Sequence, residues 1–269
     1  MTEPSKSDTK VEEVWRKFLT TGHATKELRM RHLFGLLPAN PRCRFCNAPF
    51  QGVGATLVRL VYDKRPSKLN PRLCNSCENL ASQHQGGAEI ELSMLFADVR
   101  GSTTLAERMR PAEFSRLINR FYTAVTDVLI RTDALIDKLV GDQVTGLYVP
   151  GFAGTEHARR AVEAAQEILR VTGHGDSAGP WIPLGAGVHT GTAFVGSVGS
   201  KEGATDITVL GDAANTAARL SSNARQGEIL ISEAAYAAAG LDLPDLERRV
   251  LELKGKCEPV TVHVLTKYG

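Results

Sequence analysis

Two Cys-X-X-Cys pairs constrain the N-terminal third of this chain. Cys43 is followed by Cys46, and Cys74 by Cys77, with 27 residues between the pairs. Two such pairs supply the four thiolates that a tetrahedral metal site needs. Zinc is the expected metal, although a single iron or an iron–sulfur cluster uses the same ligands. The fifth cysteine, Cys257, stands alone in the sequence, and we do not expect it to be reactive.

Charge is distributed unevenly along the chain. Residues 1–88 carry 14 Lys and Arg against 7 Asp and Glu, whereas residues 89–269 carry 18 against 23. A basic N-terminal part joined to a mildly acidic remainder indicates two modules. The basic residues are scattered and lack aromatic stacking partners, so we expect no nucleic-acid partner.

The composition is that of an ordinary globular protein, because 42% of the residues are hydrophobic and 23% are charged. No apolar run is long enough to span a bilayer, and Met1–Lys10 is polar. We therefore expect no transmembrane segment and a cytoplasmic location.

Helical periodicity predicts two amphipathic helices within residues 1–40. Thr9–Glu12 has the pattern of a capping box for the first helix. The second is predicted from near Thr25, with an apolar stripe that includes Leu33, until the prolines that follow Leu37. These short apolar faces favour packing against a core or a partner over membrane binding.

The cysteine module is predicted to span residues 41–82, and residues 82–87 are expected to form a linker. After the linker, the apolar pattern predicts strand, helix, hairpin, helix and strand, with Gly141-Asp142 at the hairpin turn. Gly191 and Gly196 are expected to punctuate a second hairpin. The pattern predicts an α+β fold of the ferredoxin-like βαββαβ type, with an antiparallel sheet and helices on one face.

Two aspartates are placed where a metal-bound polyphosphate could sit. Asp98 follows the strand-like segment Met94–Ala97 and precedes a glycine-containing turn that leads into a helix. Asp142 lies four residues after Lys138, so both are expected on one face of an extended segment. Two carboxylates that lie close together repel each other unless a divalent cation neutralises them, as in two-metal phosphoryl chemistry.

These motifs resemble those of the class III nucleotidyl cyclases, and the resemblance covers residues 89–268. Phe96–Thr103 is similar to the family's first metal-site signature, and Lys138–Asp142 is similar to its base-contacting lysine and second metal aspartate. Thr208–Arg219 is similar to its third signature, and Leu253–Gly255 resembles the segment whose lysine reaches the terminal phosphates. The four motifs occur in the family's order.

The resemblance implies an adenylate cyclase that converts ATP to 3′,5′-cyclic AMP and pyrophosphate, with two groups of site residues. The group that holds two Mg²⁺ or Mn²⁺ ions and the phosphates comprises Asp98, Asp142, Gly101, Ser102 and Thr103. The group that contacts the base, the ribose and the developing charge comprises Lys138, Thr208, Asn215, Arg219 and Lys254. Among these, Asn215 is expected to orient the ribose and Arg219 to stabilise the transition state.

Position 208 departs from the pattern of many adenylyl cyclases, which carry an aspartate there. The Thr208 hydroxyl can accept the same hydrogen bond from adenine, and Lys138 can donate to a ring nitrogen, so ATP is favoured over GTP. The lysine and threonine together resemble a threonine-type subgroup that is often stimulated by bicarbonate. Guanylate cyclase activity remains an alternative.

The family forms each active site across a head-to-tail homodimer. The resemblance therefore implies a homodimer in which Asp98, Asp142 and Lys138 of one subunit meet Asn215 and Arg219 of the other. Residues 1–88 are then expected to regulate the dimer, with bicarbonate or a redox change as candidate signals. The alternative is a metal- or redox-sensing module that uses a catalytically silent cyclase fold only to dimerise.

Overall fold

The computed structural model describes residues 6–21, 26–37, 41–199, 205–256 and 258–266, so Cys257 lies outside the described residues. The elements before the long first strand are α1 Lys6–Thr21, α2 Lys26–Leu36, α3 Gly52–Tyr62 and α4 Asn75–Gln83. The elements that follow are β1 Gly86–Val99, α5 Ser102–Arg108, α6 Pro111–Arg131, β2 Leu135–Val140, β3 Gln143–Tyr148, α7 Pro150–Ala153, α8 His157–Val171, β4 Leu184–Gly199, β5 Thr205–Leu210, α9 Asp212–Asn223, β6 Ile229–Ser232, α10 Glu233–Ala238, β7 Glu247–Leu251 and β8 Val260–Leu265.

A mixed sheet of eight strands forms the centre of the described chain. Its order is β2-β3-β1-β4-β6-β8-β7, and β5 pairs with β4 at the far end of that strand. The pairing of β4 with β6 is parallel, while the other pairs are antiparallel. The first four strands and the helices α6 and α8 have the ferredoxin-like arrangement that the sequence predicts.

Both faces of the sheet are covered, which corrects the expectation of helices on one face. Leu95 and Ala97 of β1 face the core formed by α6 and α8. Leu92 and Met94 point the opposite way, into a second core with α9 and the N-terminal helices. A strand that is apolar on both sides needs a layer on each face, and the N-terminal part of the chain supplies one of them.

The N-terminal helices lie near their predicted positions but differ in detail. α1 begins at Lys6, so Thr9 lies inside the helix and does not cap it. Trp15 of α1 is buried in the second core. On α2 the buried residues are Arg31 and Phe34, whereas Leu33 of the predicted apolar stripe is exposed. The helices were predictable from periodicity, but the buried face of α2 was not.

The predicted linker and second hairpin are replaced by one long strand pair. Gly86 and Gly87 belong to β1 and pair with β4 at Ser197 and Gly196. A Cβ atom on Gly196 would lie 2.3 Å from the Cα of Gly87, so only glycine permits this close approach. Gly191 also lies within β4, which runs unbroken to Gly199 before the chain returns as β5.

Candidate active site

Asp98 and Asp142 lie together at one edge of the sheet. Asp98 is the penultimate residue of β1 and pairs with Gln143, and the Val99 amide donates to the Asp142 carbonyl at 3.0 Å. Asp142 occupies the turn between β2 and β3, not an extended segment shared with Lys138 as expected. Burial raises the pKa of Asp98; the Arg100 guanidinium opposes this effect and the Asp142 carboxylate adds to it.

Arg100 is a member of this group that sequence reasoning missed. Its guanidinium forms an ion pair with Asp98 and donates to the Ser222 and Ala224 carbonyls at 3.0 and 3.3 Å. These carbonyls lie at the C-terminal end of α9. Arg100 thus connects the carboxylate edge to α9. The sequence could have indicated this role, because Arg100 lies only two residues after Asp98.

An open cavity of about 490 Å³ adjoins this edge and is lined by Ser102, Thr103, Gly141, Asp142 and residues of α5 and α6. Gly101 precedes α5 with a φ of 65°, a left-handed conformation that favours glycine. The Tyr122 hydroxyl donates to the Gly141 carbonyl at 2.7 Å and holds the turn in place. Sequence periodicity assigned Tyr122 no role.

The residues expected to meet the ribose and the phosphates lie on the outer side of α9. Ala213, Ala217 and Leu220 of this helix are buried against the sheet. Asn215 and Arg219 are exposed on the opposite side, so they point away from the sheet of their own chain. Lys254, in the loop between β7 and β8, is also exposed.

Thr208 is buried on β5, and its Oγ1 has no hydrogen-bond partner among the described residues. Lys138 belongs to β2, and β5 lies against β2 in the same chain. The strands that carry Thr208 and Lys138 are therefore neighbours within one chain. Asn215 and Arg219 lie on a different element, the helix α9.

The four cysteines of the two Cys-X-X-Cys pairs form one cluster. Their sulfur atoms all lie within 4.8 Å of one another, and the Sγ atoms of Cys46 and Cys74 are 3.7 Å apart. A tetrahedral ion with metal–sulfur bonds of about 2.3 Å requires sulfur–sulfur distances of about 3.8 Å. Burial raises the pKa of the Cys43 thiol, whereas hydrogen bonds from the other three thiols lower that of Cys74. The donor set fits a single metal ion.

Two cations adjoin this cluster. Lys64 Nζ lies 3.8 Å from Cys74 Sγ. Arg31 is fully buried, and its guanidinium donates to the carbonyls of Phe45 and Ala134. Burial lowers the pKa of Arg31, and the Asp133 carboxylate, followed by the nearby thiols, opposes that effect. Sequence reasoning missed Arg31 because an arginine on a short helix ordinarily indicates a solvated face.

Comparisons with known proteins identify the family of this chain. The sequence profile described as "Adenylate and Guanylate cyclase catalytic domain" matches residues 87–267. The chain belongs to this family. It is 31% identical over 185 residues to an adenylate cyclase of Anabaena cylindrica, covering 64% of this chain and 36% of the relative. It is 31% identical over 175 residues to adenylate cyclase 1 of Rhizobium meliloti (strain 1021), covering 62% and 26%.

Solved structures show the same fold. The guanylyl cyclase Cya2 superposes with a TM-score of 0.62 at 28% identity, covering 69% of this chain and 96% of that one. The adenylyl cyclase CyaB from P. aeruginosa superposes with a TM-score of 0.57 at 27% identity, covering 66% and 95%. The matched part of the chain spans 36% and 26% of the length of the two adenylate cyclases named above. Within the described residues, no helix is both long and apolar enough to cross a bilayer.

Proposed function

We propose that this chain is an adenylate cyclase that forms 3′,5′-cyclic AMP and pyrophosphate from ATP. One observation carries the proposal. Asp98 at the end of β1 lies beside Asp142 in the β2–β3 turn, and Asp142 lines an open cavity together with Ser102 and Thr103. Paired carboxylates beside open space are suited to a triphosphate with divalent cations.

In this proposal Asp98 and Asp142 hold two Mg²⁺ or Mn²⁺ ions, which supply charge neutralisation and activate the ribose 3′-hydroxyl. The Gly101–Thr103 turn contacts the phosphates. The Arg219 guanidinium stabilises charge on the reacting phosphorus, and Lys254 stabilises charge on the leaving pyrophosphate. These groups act by position and charge, without a covalent intermediate.

We propose that each site forms between two copies of the chain. Asn215 and Arg219 point away from their own sheet, which is the orientation that lets a second copy use them. Because β2 and β5 are neighbours, Lys138 and Thr208 contact the base together, from the subunit that supplies Asn215. This arrangement differs from the expectation that Lys138 acts beside the aspartates of its own subunit.

The test is product formation by the purified chain with Mn²⁺ and ATP. Asp98→Ala is expected to abolish cyclic AMP formation, because it removes a cation ligand. Asp127→Ala is the matched control, since Asp127 is an exposed carboxylate on α6 that pairs with Arg131. Equal turnover by wild type and Asp98→Ala would overturn the assignment, as would a wild-type chain that forms no cyclic nucleotide.

Guanylate cyclase activity is the second candidate, and one observation favours it. Cya2, a guanylyl cyclase, superposes on this chain with a TM-score of 0.62. The same assay with GTP decides between them. A higher kcat/KM for GTP than for ATP would replace the adenylate cyclase assignment.

For the four-cysteine cluster we propose a single bound ion, zinc or iron. An iron–sulfur cluster requires greater separation between thiolates on different irons, so sulfur atoms within 4.8 Å of one another favour one ion. Elemental analysis and a visible spectrum of chain purified without oxygen test this. One zinc per colourless chain indicates a structural site, iron without sulfide indicates a redox-sensitive one, and stoichiometric sulfide would contradict a single ion.

We also propose that the N-terminal module regulates the cyclase, in response either to bicarbonate or to the redox state of the bound metal. Cyclic AMP formation is to be measured while bicarbonate is varied at fixed pH, and then in both oxidation states of the chain. Activity that does not change with bicarbonate would exclude bicarbonate as the regulator. Equal activity in the oxidised and reduced chain would exclude redox regulation.

A further inference from the structure

The cysteine module contacts β2 beside Lys138. Arg44 lies between Cys43 and Cys46, and its guanidinium donates to the backbone carbonyl of Asp137 at 3.1 Å. Asp137 immediately precedes Lys138 in β2. The contact therefore fixes the backbone of the strand one residue away from a proposed base contact.

A second contact joins the module to β5. The buried side chain of Asn70 donates to the Thr205 carbonyl at 2.9 Å and lies 3.5 Å from the Asp206 carboxylate. Arg72 lies 3.9 Å from the same carboxylate. Asp206 is two residues before Thr208, the second proposed base contact. Two strands that carry base contacts are thus attached to one module.

The two attachments are connected through the cysteine pairs. The Arg44 amide donates to the Arg72 carbonyl at 3.0 Å, and the Cys74 amide lies 3.2 Å from Cys43 Sγ. Asn70 is tied to the second pair because its carbonyl accepts from the Leu73 amide at 3.0 Å. Moving either cysteine pair would therefore displace a side chain that holds β2 or β5.

We infer that Arg44 and Asn70 are positioning residues that set the spacing of β2 and β5 and so determine nucleotide affinity and base selectivity. The inference rests on the proposed nucleotide site. Hydrogen bonds to backbone carbonyls hold a strand whatever its side chains do. Base recognition by one donor and one acceptor on different strands fails when their separation changes.

The test is equilibrium binding of 3′-deoxy-ATP and 3′-deoxy-GTP, which lack the attacking hydroxyl, to the full-length chain with Mn²⁺. Arg44→Ala and Asn70→Ala are each expected to weaken adenine-nucleotide binding about fivefold to tenfold and to lower the ratio of adenine-nucleotide to guanine-nucleotide affinity. Arg44→Ala loses the hydrogen bond to the Asp137 carbonyl, and Asn70→Ala loses those to Thr205 and Asp206. With ATP, KM is expected to rise while kcat changes less than about twofold.

Arg65→Ala is the matched control, because Arg65 belongs to the same module and pairs with Asp63 on its exposed surface. Circular dichroism and metal content show whether each variant is folded. If Arg44→Ala fails to fold, Asn70→Ala alone tests the inference, because Asn70 holds β5 and not β2. Binding constants and base ratios equal to those of Arg65→Ala would overturn the inference. A wild-type chain that binds the analogues but forms no cyclic nucleotide contradicts the proposed function alone.

Discussion

Lys64 Nζ lies 3.8 Å from Cys74 Sγ, and the buried Arg31 lines one cavity together with Lys64, Cys46 and Cys77. Four thiolates around a divalent ion carry a net charge of −2, which these two cations balance. Charge neutrality in a buried site depends on both the sulfurs and the ion.

We therefore expect Cys74→Ser to lose the metal and to destabilise the chain by about 3–5 kcal/mol, because metal binding no longer stabilises the fold and Lys64 loses the thiolate beside it. Metal content and chemical denaturation measure the two effects. Cys257→Ser is the control, since Cys257 belongs to neither Cys-X-X-Cys pair. Full metal occupancy in Cys74→Ser would exclude the four-thiolate site.

Two inactive variants are expected to restore activity when mixed. An Asp98→Ala chain and an Arg219→Ala chain each lack one part of the proposed two-chain site. Half of the dimers in an even mixture are mixed, and each has one intact site, so about a quarter of wild-type turnover should return. Cyclic AMP formation after co-refolding measures this. Turnover no greater than the sum of the separate variants argues for a site within one chain.

Thr208→Val is expected to separate binding from stability. Thr208 Oγ1 is buried and has no partner in the described part of the chain, so its removal leaves the free energy of unfolding unchanged within about 0.5 kcal/mol. The KM for ATP should rise about fivefold to tenfold if the hydroxyl accepts from adenine. Denaturation curves and steady-state kinetics give the two values. An unchanged KM removes Thr208 from the base site.

Stability is expected to fall in mild acid because of His189. Burial, with a contribution from Lys256 and against the attraction of Asp212, lowers the pKa of His189 from 6.5 to about 4. The partly buried imidazole accepts or donates at Nδ1 in a 2.8 Å contact with Ser232 Oγ. Below pH 6.5 His189 binds a proton in the unfolded chain but stays neutral in the folded chain until pH approaches 4. The free energy of unfolding therefore decreases as pH falls.

The loss attributable to His189 reaches about 2–3 kcal/mol between pH 6.5 and 4. Denaturation midpoints at several pH values measure it. His189→Asn keeps a polar partner for Ser232 and should flatten the dependence in this window. An equally steep dependence in the variant would assign the loss to other buried histidines, such as His157, whose pKa burial also lowers.

Phe152→Ala is expected to lower the free energy of unfolding of the N-terminal module and the sheet together. The Phe152 ring lies 5.3 Å from that of Phe18 and 6.0 Å from that of Phe45, so it joins α1, the cysteine module and the sheet in one core. A loss of about 3–5 kcal/mol follows from truncating a buried aromatic ring. Metal release and far-ultraviolet circular dichroism should change in one transition. Separate transitions in the wild type would show two independent units.

The sequence predicted the features that depend on neighbouring residues. The hairpin turn at Gly141-Asp142 and the βαββαβ order follow from turn chemistry and short-range periodicity. The proximity of Asp98 and Asp142 followed from motif order. β4 was wrongly divided because its glycines indicate a turn locally, whereas the pairing of Gly196 with Gly87 requires glycine for close strand approach.

Features that depend on distant residues were not predictable. Arg31 is buried by contacts with Phe45 and Ala134, and nothing within its own helix indicates them. The attachment of Arg44 to Asp137 crosses 93 positions of the chain. The second layer over the sheet was not predicted for the same reason. The sequence of β1 is apolar on both faces, but nothing in it indicates that the N-terminal helices cover one of those faces.

The shared core has a consequence for how this catalytic domain can be recombined. A chain cut before residue 89 would expose Leu92 and Met94, both fully buried here, on a broad apolar surface. Such a fragment should associate with itself or precipitate unless a new N-terminal partner presents a matching surface. Gene fusion at this boundary would therefore divide a hydrophobic core, so a replacement N-terminal segment has to bring an apolar surface that packs on β1.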